Sequence, residues 1–234
     1  MYFLLKNVAW AVGWGECPNL RSYPQKTQAL NNEIAMKKFI LALMLCAPLS
    51  LYAEDPATPV ANKALVCTAC HGQAGNSANP DWPNLAGQHP KYFVKQLKDM
   101  SDSALRDAPT MKALVATLST QDMDDLATYY AKMPLAQGST PKQFLQRGEQ
   151  LYRGGDFAQR ITACIACHGP KGTGNAQAGF PQLSGQHASY TVLQLQAFKE
   201  GRRKNDLNHI MQDISSRMIQ ADMEAVAHYI EGLH

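Results

Sequence analysis

The sequence predicts an all-α protein built from two tandem, small helical domains. Three observations support this. Residues 54–133 and 142–234 can be laid over each other with only a few inserted positions. Apolar residues in both copies recur at helical spacing. Strand signals, the alternating β-branched runs of a pleated surface, are nearly absent.

In chain order, residues 1–53 come first and stand apart from the repeat. Met36-Lys37-Lys38 is a short basic start, and Phe39 to Leu51 is an apolar run ending at Ala53, before Glu54-Asp55-Pro56. This is the pattern of a secretory signal peptide, although Leu51 is larger than the residue usual three places before a cut. Cys46 follows Met44-Leu45 and lacks the small neighbour of a lipidated cysteine. Residues 1–35 show no sustained period and precede a leader with its own methionine, so we expect a start codon placed too early. No run of eighteen or more apolar residues predicts a spanning helix. The expected product is a mature periplasmic chain, free or peripherally held at the inner membrane, with domains at 54–138 and 139–234.

Removing the leader changes the arithmetic. The formal charge of the whole chain is +3, but residues 1–53 carry five Lys/Arg against two Asp/Glu, which leaves 17 of each sign. The basic excess therefore gives no reason to expect a nucleic-acid partner. Cys17 and Cys46 leave with the leader, and the remaining four cysteines all fall in two short motifs. No thiol is left for a disulfide, a metal cluster or a nucleophile.

Those motifs are Cys67-Thr68-Ala69-Cys70-His71 and Cys164-Ile165-Ala166-Cys167-His168. Cys-x-x-Cys-His is the c-type haem attachment pattern. Two thiols about one helical turn apart reach two vinyl groups on one side of a porphyrin, and the following His stands beside the iron. A thioredoxin-like pair needs a strand-helix-strand setting, which neither copy has. A zinc site would have to join two pairs offset by 97 residues. A structural disulfide leaves both histidines unexplained. The expected cofactors are two covalently attached haem c groups, on Cys67 and Cys70 and on Cys164 and Cys167. His71 and His168 are the expected proximal ligands.

The repeat continues beyond the motifs. Gly72 and Gly75 match Gly169 and Gly172, and Pro83-Asn84-Leu85-Ala86-Gly87-Gln88-His89 matches Pro181-Gln182-Leu183-Ser184-Gly185-Gln186-His187. A helix is expected after each of these loops, where Tyr92, Gln96 and Leu97 match Tyr190, Gln194 and Leu195. Each copy ends in an amphipathic helix, with Met123, Leu126, Ala127 and Tyr130 in one and Met223, Val226, Ala227 and Ile230 in the other. Ser119 with Asp122 resembles a capping box at the first of these. Met133 to Pro141 reads as a linker that resumes as a helix near Pro141.

The sixth iron position separates a carrier from a catalyst. Met100 corresponds to Phe198, and Met218 to Leu118. Met123 and Met223 correspond but sit on the apolar stripe. Met111 and Met211 are the other matched pair, and we expect each to ligate iron from an irregular segment. His89 and His187 are a matched histidine alternative, read here as solvated helix starts. His209, His228 and His234 read as surface residues, and no catalytic residue is expected.

With these motifs the chain resembles the dihaem cytochrome c4 family over residues 54–234. The resemblance implies two class I cytochrome c domains related by an approximate twofold axis, with haem propionate edges facing across the interface. It also implies that the Pro83 and Pro181 carbonyls accept a hydrogen bond from the proximal histidines. The implied task is respiratory electron transport from a cytochrome bc complex or similar donor to a haem-copper terminal oxidase, with no small-molecule substrate. A dihaem peroxidase and an electron-accepting subunit of a dehydrogenase are the alternatives.

Overall fold

The computed structural model describes residues 59–234. The expected leader and the upstream residues lie outside the described residues. Among those described there is no β-strand, and three isolated bridges stand in its place.

The N-terminal half begins with α1 (Pro59–His71), which runs without interruption into the first Cys-x-x-Cys-His motif. A loop then leads to α2 (Pro90–Met100), which starts at a proline whose missing N–H costs nothing in a first turn. Two more helices follow, α3 (Pro109–Val115) and α4 (Thr120–Ala131). The capping box at α4 is present: the Ser119 hydroxyl accepts from the Asp122 N–H, and the Asp122 carboxylate accepts from the Ser119 N–H. Met123, Leu126, Ala127 and Tyr130 are buried, as their spacing predicts, and pack with Ala64, Phe93, Leu97, Met100 and Val115.

The C-terminal half repeats the plan with one insertion. Helix α5 (Lys142–Glu149) passes into a π turn at Gln150–Gly154, and a tight hairpin closed by Asp156 and Ile161 precedes the second motif. The motif therefore has its own short helix, α6 (Ile165–His168). Helices α7 (Ala188–Lys199), α8 (Ile210–Ser216) and α9 (Gln220–Glu231) complete the half. Its core joins Leu151, Tyr152, Ile161, Leu195, Met218, Met223, Val226, Tyr229, Ile230 and Leu233. Arg147 ties the insertion down, since its guanidinium bridges Asp156 at 2.9 Å and the buried Asp222 at 2.7 Å.

Close helix packing stays within each half: α1 and α2 on α4, and α5 and α7 on α9. The two halves meet instead through loops and long side chains, and they share one compact unit. The expected linker is coil over 134–141, and it is anchored rather than loose. Asn76 donates to the Pro134 carbonyl and accepts from the Ala136 N–H, both at 2.9 Å.

Candidate functional site

Each site is built from a helix end and the loop that covers it. In the first, α1 turns Cys67, Cys70 and His71 toward the rim of the N-terminal core. Gly72 then takes φ +77, where any side chain would be strained and a Cβ would lie 2.0 Å from the Asn76 carbonyl oxygen. Gly169 has the same φ behind His168. These glycines let the chain reverse and lay the Pro-x-Leu loop against the histidine.

The loop does one measurable thing in both halves. His71 Nδ1–H donates to the Pro83 carbonyl at 2.9 Å, and His168 Nδ1–H donates to the Pro181 carbonyl at 2.9 Å. That bond selects the tautomer whose Nε2 lone pair is free for a metal. Both rings are buried, and burial lowers their pKa, with the proline carbonyl opposing it in part. Each imidazole is therefore neutral at pH 7, the form that ligates iron.

Burial also favours the protonated thiol at the first cysteine of each motif. Burial pushes Cys164 up to about 12, and burial raises Cys67 too, with the Tyr130 hydroxyl opposing it. Tyr130 is itself buried, with its hydroxyl beside the Cys67 thiol. Two thiols a helical turn apart, a neutral oriented imidazole and an apolar wall fit a covalently attached haem. Such a group, when bound, supplies one-electron chemistry at its iron.

The remaining predicted residues fall as follows. Cys67, Leu85 and Met111 pack around the N-terminal cluster, and Cys164, Leu183 and Met211 around the C-terminal one. The methionines do not lie in irregular chain, as expected, but in the first turns of α3 and α8. Pro109 opens α3, and the Asp206 carboxylate accepts from the Met211 and Gln212 N–H groups at 2.8 and 3.0 Å to open α8. The irregular part comes just before, where Ala108 is non-helical and His209 is left-handed at φ 58.

Two histidine readings need correction. His89 and His187 stand at helix starts, as expected, but they are half-buried and tied down: each Nε2–H donates to a carbonyl of the other half, Thr173 at 2.7 Å and Ser77 at 2.9 Å. His228 is not a plain surface residue either, because it stacks on Phe144 with ring centroids 4.2 Å apart. His209 and His234 are exposed, as expected.

Reasoning from the sequence missed the seam between the halves. Gln88 and Gln182 exchange two bonds at 3.0 Å, and Asn84 and Gln186 exchange two at 2.9 Å. Matched polar residues on the Pro-x-Leu loops were the available signal, since a duplicated unit meeting its copy about a twofold axis pairs two matched positions reciprocally, here Gln88 with the counterpart of Asn84 and Asn84 with the counterpart of Gln88.

Comparison with known proteins bears on this arrangement. The Cytochrome c family model matches residues 145–234. The cytochrome c4 of Pseudomonas aeruginosa is 42% identical over 202 residues, covering 85% of this chain and 100% of that protein. A thiosulfate dehydrogenase electron acceptor of Thiomonas intermedia is 36% identical over 198 residues, covering 81% of this chain and 85% of that one. The crystal structure of reduced recombinant cytochrome c4 from Pseudomonas stutzeri superposes with a TM-score of 0.72 at 41% identity, covering 75% of this chain and 97% of that one. Similarity at this level over a whole relative, joined to the duplicated sites, means that the chain belongs to the cytochrome c4 family, as an electron carrier with two covalently attached haem c groups and not an enzyme.

Proposed function

We propose that this carrier works in the periplasm as a two-domain relay, 54–138 and 139–234, between a cytochrome bc complex or similar donor and a haem-copper terminal oxidase. We assign His71 with Met111 to one iron and His168 with Met211 to the other. The observation that carries the ligand assignment is the burial of the methionines. Met100, Met123, Met218 and Met223 are sealed into the cores, while the matched pair Met111 and Met211 stay half-buried on the rims that also hold Cys67 and Cys164; Met133 is half-buried too, but it stands opposite Leu233 and has no methionine counterpart. A thioether that is already part of a sealed core has no free face for iron.

Methionine ligation closes the iron to outside ligands and raises its potential. Met111→Ala or Met211→Ala should abolish the near-infrared sulfur-to-iron band of one haem and open that haem to carbon monoxide. The same loss from Met123→Ala, with both rim variants unchanged, would refute the assignment.

A second donor has support from similarity to the thiosulfate dehydrogenase electron acceptor. Under that reading the chain takes its electrons from a thiosulfate dehydrogenase. Mixing the oxidised protein with bc-containing membranes and, separately, with thiosulfate dehydrogenase and thiosulfate decides between them by which mixture reduces it at a saturable rate.

A further inference from the structure

One buried hydroxyl in the N-terminal core serves no contact of the fold. Tyr130 on α4 is fully buried, and among the described residues its hydroxyl meets no nitrogen or oxygen partner. Its polar neighbour is the sulfur of Cys67, which packs against the same cluster. A buried hydroxyl without a bond is destabilising, and a thiol sulfur is only a weak acceptor, so the placement calls for a reason.

The ring cannot turn away toward a better acceptor. It stacks on Phe93 with centroids 5.7 Å apart and meets the Tyr129 ring edge-on at 5.2 Å. On another side the backbone presses so close that a Cβ on Gly75 would lie 2.7 Å from Tyr130 Cδ1. The Tyr130 carbonyl is held as well, accepting from the Gly87 N–H at 2.9 Å. What the hydroxyl faces is therefore fixed by packing.

The C-terminal half is built differently. Ile230 stands at the matched position and carries no hydroxyl. The tyrosine beside Cys164 is Tyr152, which comes from the π turn, and its hydroxyl donates to the Gly169 carbonyl at 2.7 Å. A tyrosine thus stands beside the first cysteine of each motif, but only the Tyr130 hydroxyl is left for the sulfur.

Haem attachment changes that sulfur. The thiol S–H adds across a vinyl group: an S–C bond forms, the hydrogen passes to the other vinyl carbon, and no oxidant or reductant is consumed. The resulting thioether keeps its lone pairs and has no hydrogen, so it accepts and cannot donate. We propose that Tyr130 is a positioning residue for electron transfer, whose hydroxyl donates to the Cys67 thioether and through it raises the potential of the N-terminal haem, with no matching bond at the C-terminal one. A donor held at the sulfur withdraws electron density from the porphyrin edge and favours the electron-richer, reduced iron. It shifts the sharing of one electron between the haems toward the N-terminal one. This rests on haem attachment at Cys67 and is independent of methionine ligation and of the partners.

The test is a redox titration of the holoprotein in which proton NMR follows the shifted haem methyl resonances of each haem separately. Tyr130→Phe should lower the N-terminal midpoint alone, making that haem about threefold less reduced at a fixed poise, or about 28 mV for a one-electron couple. Fluorinating the Tyr130 ring beside its hydroxyl makes a stronger donor of almost the same size, and should raise the same midpoint. This second protein keeps the ring packing and decides the matter if Tyr130→Phe fails to accumulate. An N-terminal midpoint that stays in place in either protein, or a shift shared equally by both haems, overturns the proposal. Melting of the holoprotein gives an independent sign. Loss of a made bond lowers the melting temperature of Tyr130→Phe, whereas removal of an unbonded buried hydroxyl raises it or leaves it unchanged, and either of the latter results overturns the proposal. Methionine ligation is read separately, by the near-infrared band.

Discussion

Burial and one directed hydrogen bond prepare His71 and His168 as ligands, and that preparation was half legible. The five-residue motif is local, so thiols and imidazole follow from spacing alone. The Pro83 and Pro181 bonds follow from family resemblance, because the carbonyl arrives from a loop 12 or 13 residues away. His89 and His187 were misread for a stronger reason: their acceptors are 84 and 110 residues distant, in the other half. At the same scale, Asp122 carries a pH signature. Bonds from Lys63 and Ser119 hold its carboxyl at about 2, below the usual 3.8. Between these values the unfolded chain binds more protons than the folded one, so the contribution is full above about pH 4 and is lost as pH falls toward 2. Acid-unfolding curves of Asp122→Asn and the unaltered protein should converge at low pH and separate as pH rises through this window. A constant separation from pH 2 to pH 6 would contradict the pairing.

Helices were legible where a periodic stripe meets a chemical start signal. Ser119 and Asp122 announce α4, and its four stripe residues are all buried. Ser119→Ala should cost about 1 kcal/mol, the typical loss for an N-cap, measured by thermal unfolding of the holoprotein. The helices of Met111 and Met211 were not legible, because seven residues give too few turns for a period to emerge and Asp206 acts on Met211 from five residues upstream. The hairpin before Cys164 was hidden in the same way, as an insertion with no counterpart to align. Helix packing supplies a sharper prediction. Gly148 on α5 lies against α9, where a Cβ would come within 2.3 Å of the Ala225 carbonyl oxygen and 2.6 Å of Tyr229 Cβ. Neither backbone nor Cβ can step aside cheaply, so Gly148→Ala should destabilise the C-terminal half by about 1–3 kcal/mol, the range for overpacking. An unchanged melting temperature would show that α5 and α9 do not cross so closely.

At the scale of the whole molecule, duplication was readable from the matched segments, but how the copies meet was not. The seam is made of reciprocal amide and histidine bonds that a linear pattern does not display. Charge is divided between the halves as well: residues 54–138 hold seven Lys/Arg against nine Asp/Glu, and residues 139–234 hold ten against eight. A near-neutral chain with such a dipole is oriented as it approaches a partner, which changes encounter rate more than affinity. We expect reduction and oxidation rates to depend on ionic strength, and charge reversal in one half to slow one of these steps more than the other. Equal slowing by reversal in either half would remove the basis for separate entry and exit faces. The central claim is that both haems are closed and pass electrons on without substrate chemistry. It is tested most directly by stopped-flow oxidation of the fully reduced protein, run in parallel against terminal-oxidase membranes and against peroxide. We predict rapid, saturable loss of two electrons per chain to the membranes and slow, unsaturable reaction with peroxide. Saturable peroxide turnover with sluggish oxidation by the membranes would contradict it.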